Sequence, residues 1–154
     1  MPIQVEIEKI REGEQIPTKF TCDGENVSPE IRIGKIPEGT KSLALVVEDP
    51  DAPVGLFVHW VLYNIDPSRP VIHGGVEKKN QTVEGFRQGK NDFGRIGYDG
   101  PCPPKGHGYH RYFFRVFALR GVPTVRGEVK RETLLRAMEG LIIDKGETMG
   151  RYQR

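Results

Sequence analysis

Apolar and polar positions along the chain follow two patterns, a period-2 alternation and short unbroken apolar runs, and both predict β-strands. Residues 3–10 (IQVEIEKI) alternate, as a half-buried strand does. Residues 42–48 (SLALVVE) form an apolar run that should stop at Asp49-Pro50, where proline brings no N–H to a ladder. Residues 57–65 (FVHWVLYNI) and 110–119 (HRYFFRVFAL) are aromatic and β-branched on both sides, which predicts central strands between covered layers. Turn chemistry separates these runs at Cys22-Asp23-Gly24, Ile36-Pro37-Glu38-Gly39, Asp66-Pro67 and Tyr98-Asp99-Gly100-Pro101. A single stretch has helical spacing. Leu134, Leu135, Met138, Leu141 and Ile142 recur three and four apart, predicting a helix over 131–143 with Gly146 at or just beyond its end. Many short strands and one late helix predict a mainly β fold, a sandwich of antiparallel sheets with a C-terminal helix on its edge.

Length and composition narrow this further. With 154 residues the chain makes one domain, 1–154. Its 19 Gly and 12 Pro favour turns over long helices. A net charge of +2 creates no field that calls for nucleic acid. The basic excess is local: Lys105 to Arg131 carries seven Lys/Arg and one acid, Glu128. Such a stretch is either a solvated outer face or a docking patch for an acidic partner. The N-terminus lacks a basic segment followed by an apolar one, so no signal peptide is read. The longest uncharged run, Ala52 to Ile65, is 14 residues and contains Pro53, Gly55 and His59, too short for an integral membrane segment of roughly 20. A cytoplasmic protein is the expectation. Cys22 and Cys102 should then be free thiols in a reducing cytosol. A bridge between them is the alternative, since hyperthermophiles keep intracellular disulfides and the Lys/Glu-rich composition suits a thermophile.

Candidate chemistry is sparse. Strand periodicity places His59 on one face with Phe57, Val61 and Tyr63, and His110 on one face with Tyr112, Phe114 and Val116. A lone histidine in such company is ordinarily a satisfied core residue. Asp49 and Asp51 flank Pro50 and serve either as turn residues or as an acid/base or hard-metal pair. The 88–94 segment (QGKNDFG) resembles a phosphate loop in composition only, lacking the Gly-Lys-Ser/Thr ending. Residues 98–108 (YDGPCPPKGHG) form a stiff connection to His110 in which cis proline bonds are open to either outcome. There is no G-x-S-x-G elbow, H-E-x-x-H or paired C-x-x-C. Thiol catalysis by Cys102 beside His107 or His110 has little to support it.

Taken in order, several segments resemble the phosphatidylethanolamine-binding protein family, in its bacterial and archaeal branch of Raf-kinase-inhibitor-like proteins. They are FTCDGENVSPEI at 20–31, VVEDPDAPVG at 46–55, VHWVLYNI at 58–65, GKNDFG at 89–94, GYDGPCPPKGHGYHRYFFRVFAL at 97–119 and LLRAMEG at 134–140. The resemblance implies a Greek-key β-sandwich with a small surface pocket for phosphate-like or carboxylate groups. By motif, Asp49, His59, His110 and Tyr112 would line it as ligand-binding residues, with Pro53 and the Cys102–Pro103 turn on its rim. Imidazole N–H and phenol O–H groups donate to anions, and Asp49 would hold one imidazole in its donating form. No cofactor is implied. The resemblance adds a protein kinase or serine protease as a partner, engaged through loops 85–108, and a homodimer by analogy. Two functions follow: a non-enzymatic binding or inhibitory module, which is favoured, and a hydrolase or metal-dependent enzyme using Asp49, Asp51, His59 and His110. Replacing both His59 and His110 by alanine should abolish anion binding at little cost in stability.

Overall fold

A computed structural model describes residues 2–154. Eight strands and one α-helix follow in the order β1 (Gln4–Ile7), β2 (Ile31–Gly34), β3 (Ser42–Ala52), β4 (Gly55–Ile65), β5 (Val71–Ile72), β6 (Arg87–Gln88), β7 (His110–Leu119), α1 (Arg131–Met138) and β8 (Ile142–Tyr152). They build two sheets, β1-β2-β5 and β6-β4-β3-β7-β8, antiparallel throughout. This is the mainly β, two-sheet architecture that the alternation predicts.

The main core lies between the sheets, where Ile7, Ile31, Ile33 and Ile72 meet Leu43, Leu45, Trp60, Leu62, Phe114 and Val116. On the opposite face of the larger sheet, Ala44, Val46, Val61 and Tyr63 are covered by Val129 and by Leu134 and Met138 of α1. Strands β3 and β4 are therefore apolar on both sides because both sides are covered.

Three expectations change. The helix stops at Met138, and the residues after it run as β8 along the whole length of β7, from Leu119↔Ile142 to His110↔Tyr152. Glu139 has already left the helical region at ψ 129°, and Gly140, at φ +78°, turns the chain back. No alternating apolar pattern betrays β8, because Gly146 and Gly150 stand where inward side chains would be. A Cβ on Gly146 would lie 2.1 Å from the Ile3 carbonyl oxygen, so the chain entering β1 packs there against bare backbone. Second, β3 continues through Pro50. Its pairing with β7 ends at Glu48↔Phe113, so beyond that point it is half of a hairpin with β4 and has one neighbour only. Third, β1 is shorter than the 3–10 pattern, since Lys9 at φ +58° bends the chain back and Ile10 N–H donates to Ile7 C=O at 3.1 Å.

The two cysteines are bonded to each other, against the expectation of free thiols. The Cys22 amide donates to the Pro101 carbonyl at 3.1 Å, which sets the two segments side by side with Cα atoms 5.4 Å apart. That separation lies inside the range a disulfide spans. Every peptide bond described is trans, including those of the 101–104 prolines. Among the described residues no helix is long and apolar enough to cross a membrane.

Candidate functional site

A bulge in β4 decides where His59 points. Trp60 pairs with Val47 and Val58 pairs with Glu48, leaving His59 as the extra residue between them. The bulge breaks the period of two. His59 and Phe57 face the same side as Trp60 and Leu62, whereas Val61 and Tyr63 turn to the other core. Uninterrupted alternation would have grouped His59 with Val61 and Tyr63, and that grouping is wrong beyond Phe57. On β7 the alternation is unbroken, and Tyr112, Phe114 and Val116 share one side as predicted.

Beyond the end of that core is a cavity of about 210 Å³. All seven residues proposed from the sequence line it: Asp49, Pro53, His59, Cys102, Pro103, His110 and Tyr112. Ala52, Val54, Phe57, Phe93 and Pro104 complete the wall. Apart from Asp49, His59, His110 and Tyr112, the lining is apolar. Asp49 comes from β3, Phe57 and His59 from β4, and His110 and Tyr112 from β7, so adjacent strands of one sheet fix the polar groups. The proline-rich 102–104 turn, clamped by Cys22–Cys102, supplies the opposite rim.

The two histidines differ in what they have left to offer. His59 is buried, and its Nδ1 lies 2.7 Å from the Asp99 carbonyl oxygen. A carbonyl only accepts, so Nδ1 carries the proton. Its Nε2 has no partner among the described residues. Burial pulls the His59 pKa below 6.5, against the opposing pull of the Asp99 carbonyl and of Asp49, so the neutral ring is favoured. His110, in contrast, is engaged at both nitrogens. Nδ1 lies 2.7 Å from Asp49 Oδ2 and Nε2 lies 2.6 Å from His107 Nδ1. Asp49 also accepts the Asp51 amide at 2.7 Å. Tyr112 has no hydrogen-bond partner among the described residues, and burial, followed by the charge of Asp49, pushes its pKa up, so the phenol remains a donor.

Aromatic rings hold His59 in place. Phe57, Phe93 and Tyr112 surround it at centroid distances of 5.1, 5.5 and 5.2 Å. Behind it, Asp99 ties the loop together. Its carboxylate accepts from both arms of Arg95 at 3.0 Å, from Asn91 at 2.8 Å and from Lys78 at 3.2 Å. Burial would raise the Asp99 pKa, but Arg95, Asn91 and Lys78 together outweigh it and hold the carboxyl below its ordinary value. Asn91 Oδ1 in turn accepts the Phe93 amide at 2.9 Å, which places that ring at the cavity. Sequence reasoning assigned no ligand-site role to Phe57, Phe93, Asn91 or Asp99, and weighed His107 only as a partner for Cys102. Phe57 was signalled by sharing the face of His59, and the others by membership in the GKNDFG and GYDG…GHG segments.

Asp51 does not join Asp49. It takes a two-pronged ion pair from Arg111 at 2.8 Å outside the cavity, which holds its carboxyl below the ordinary range. Among the described residues no three His, Cys, Asp or Glu side chains gather as metal ligands would. Cys102 carries no thiol.

The fold and the cavity together define a two-sheet β protein with a His/Asp/Tyr-lined site at the end of its larger sheet. The phosphatidylethanolamine-binding protein profile matches residues 6–153, and the chain belongs to that family. It is 48% identical over 143 residues to a UPF0098 protein of Pyrococcus abyssi, covering 92% of this chain and 80% of the relative. It is 47% identical over 148 residues to a UPF0098 protein of Aquifex aeolicus, covering 94% and 84%. Among solved structures it is similar to a phosphatidylethanolamine-binding protein homologue of Chlamydia trachomatis, with TM-score 0.89, 38% identity and coverage of 99% and 98%. It is also similar to E. coli YbcL, with TM-score 0.91, 32% identity and coverage of 100% and 99%. The carboxypeptidase Y inhibitor, solved with its cognate proteinase, shares the fold at 17% identity and TM-score 0.52 over 98% and 82% of the two chains.

Proposed function

We propose that this protein is a non-enzymatic binder of a small oxyanion, a phosphate or the phosphorylated head of a larger ligand, held by His59 and Tyr112. One observation carries the reading: in a mostly apolar cavity, His59 Nε2 and the Tyr112 hydroxyl are polar and without protein partners. Both groups are open to the cavity, and a ligand oxygen placed there would satisfy both. The phenol donates directly. At His59, one proton is shared with the ligand: either the anion lifts the imidazole into its charged form, or a protonated phosphate donates to the free nitrogen. A cavity of about 210 Å³ lies below the roughly 300–1,000 Å³ typical of drug-sized ligands. It therefore suits a head group, not a whole molecule.

Hydrolysis is less well supported. Asp51 is committed to Arg111, Cys102 to Cys22, and both nitrogens of His110 to Asp49 and His107. No activated nucleophile is left in the cavity. Inhibition of a kinase or serine protease would use the loops at 85–108. The likeness to the carboxypeptidase Y inhibitor supports the scaffold for that role, not a target.

The test is an NMR titration of the histidine ring signals with inorganic phosphate and with phosphorylethanolamine. Saturable shifts of the His59 and Tyr112 ring signals are expected in the wild type, and the phosphate-dependent shifts of Tyr112 should be lost in His59→Gln. Ring signals of His59 that stay still at millimolar ligand would refute the reading.

A further inference from the structure

His110 faces the cavity, yet its outer nitrogen is already taken. The chain Asp49 Oδ2···Nδ1 His110 Nε2···Nδ1 His107 runs from a buried carboxylate to an exposed ring through contacts of 2.7 and 2.6 Å. His107 is not part of the cavity wall. It reaches His110 from the exposed turn at 104–107, where its own amide donates to the Pro104 carbonyl at 3.2 Å and Gly106 N–H donates to the Arg154 carbonyl at 3.0 Å. The turn's backbone is thus held while the His107 side chain remains free to rotate about its own torsions.

We infer that His107 is a built-in competitor for His110 Nε2, and that it sets the affinity of the cavity by occupying the nitrogen a third ligand contact needs. With His107 in place, neither nitrogen of His110 is available to a ligand. The single proton between the rings goes with one of them when His107 swings away. Left on His110 Nε2, it makes that nitrogen a donor to the ligand; carried off on His107 Nδ1, it leaves Nε2 an acceptor for a protonated phosphate oxygen. Nδ1 stays on Asp49 in both cases. Three groups then serve the ligand, His59 Nε2, the Tyr112 hydroxyl and His110 Nε2. The Tyr112 ring lies between the two histidines, 5.2 Å from His59 and 6.5 Å from His110. Three contacts suit a tetrahedral oxyanion. The ligand bears the cost of parting the two imidazoles, which lowers apparent affinity in the way any minor binding-competent state does.

This inference rests on the anion-binding reading of the same cavity, and the experiment separates the two. Phosphate is titrated into the wild type, His107→Ala and His107→Phe, following the His59 ring signals. Because a net hydrogen bond is released, both variants should bind phosphate about fivefold more tightly than wild type. In the wild type the His107 signals should move with the same half-saturation as those of His59. Equal or weaker binding in both variants would overturn the competitor role while leaving the anion site standing. A gain in His107→Ala alone would also overturn it, since the gain would then come from added room and not from the freed nitrogen. Failure of His59 to respond in all three proteins would bring down both readings together.

Discussion

Asp49 and His110 meet at 2.7 Å with side chains only 4% and 1% exposed, a buried pair that joins β3 to β7 at the floor of the cavity. The contact commits His110 Nδ1, and His107 occupies its Nε2. Each histidine of the site therefore has a different standing: His110 is built into the floor, whereas His59 has a nitrogen to spare.

Removing His110 should accordingly be costly. In His110→Ala, Asp49 keeps the Asp51 amide but loses the imidazole, and breaking one side of a buried pair costs about 3–5 kcal/mol. Urea unfolding should show this loss, and Asp49→Ala combined with His110→Ala should cost less than the two single changes added together. The expectation that alanine at both His59 and His110 leaves stability nearly untouched is therefore replaced. His59→Gln is the cleaner probe of binding.

Stability should depend on pH through His59. Its folded pKa lies below its ordinary value of 6.5, so the unfolded chain takes up a proton first as pH falls. The contribution is complete above pH 6.5 and is lost progressively as pH drops toward the depressed folded value. Unfolding measured between pH 7.5 and 5 should show this slope, and His59→Gln should flatten it. Sulfate, whose charge is constant over that interval, should bind more tightly as pH falls, because its only route to His59 is through the imidazolium.

The disulfide closes a long loop. With Cys22 and Cys102 80 positions apart in sequence, chain-entropy arithmetic sets the stabilisation at about 4.5 kcal/mol. Cys22→Ser with Cys102→Ser should lose much of this in urea unfolding, and a reductant that destabilises the wild type should leave the double variant unchanged. The same change frees the 102–104 rim, so phosphate affinity should also weaken.

Gly100 should not tolerate a side chain. A Cβ there would lie 1.9 Å from the Phe20 carbonyl oxygen and 2.9 Å from Asn26 Oδ1, whose oxygen accepts the Gly100 amide. Overpacking of this kind costs roughly 1–3 kcal/mol. Because the adjacent Asp99 carbonyl holds His59, Gly100→Ala should also move the His59 ring signals without any ligand. Unmoved signals would show that the Asp99 carbonyl does not set the ring.

What local chemistry writes into the sequence was legible there. The alternation of 3–10, the apolar runs of 42–48, 57–65 and 110–119 and the spacing of Leu134, Leu135 and Met138 each report which face is buried, and burial is what selects apolar residues. Seven of the twelve cavity-lining residues were legible through the order of the motifs. Other features depend on groups distant in sequence and leave no local trace. β8 was hidden because two of its inward positions are glycines, Gly146 pressed by the Ile3 backbone and Gly150 by Ile10 and Ile16, contacts that no propensity of its own reveals. The face of His59 turned on one bulge, which depends on how β3 and β4 are registered. The Cys22–Cys102 bond needed two loops brought within reach, and the difference between His59 and His110 needed Asp49 at the end of one strand and Asp99 and His107 in the 98–108 connection to meet them. Sequence alone determined most of the strands and the residues of the cavity, because burial selects residue type; only tertiary structure decided which polar atoms facing the cavity remained unpaired, because their partners come from elsewhere in the chain.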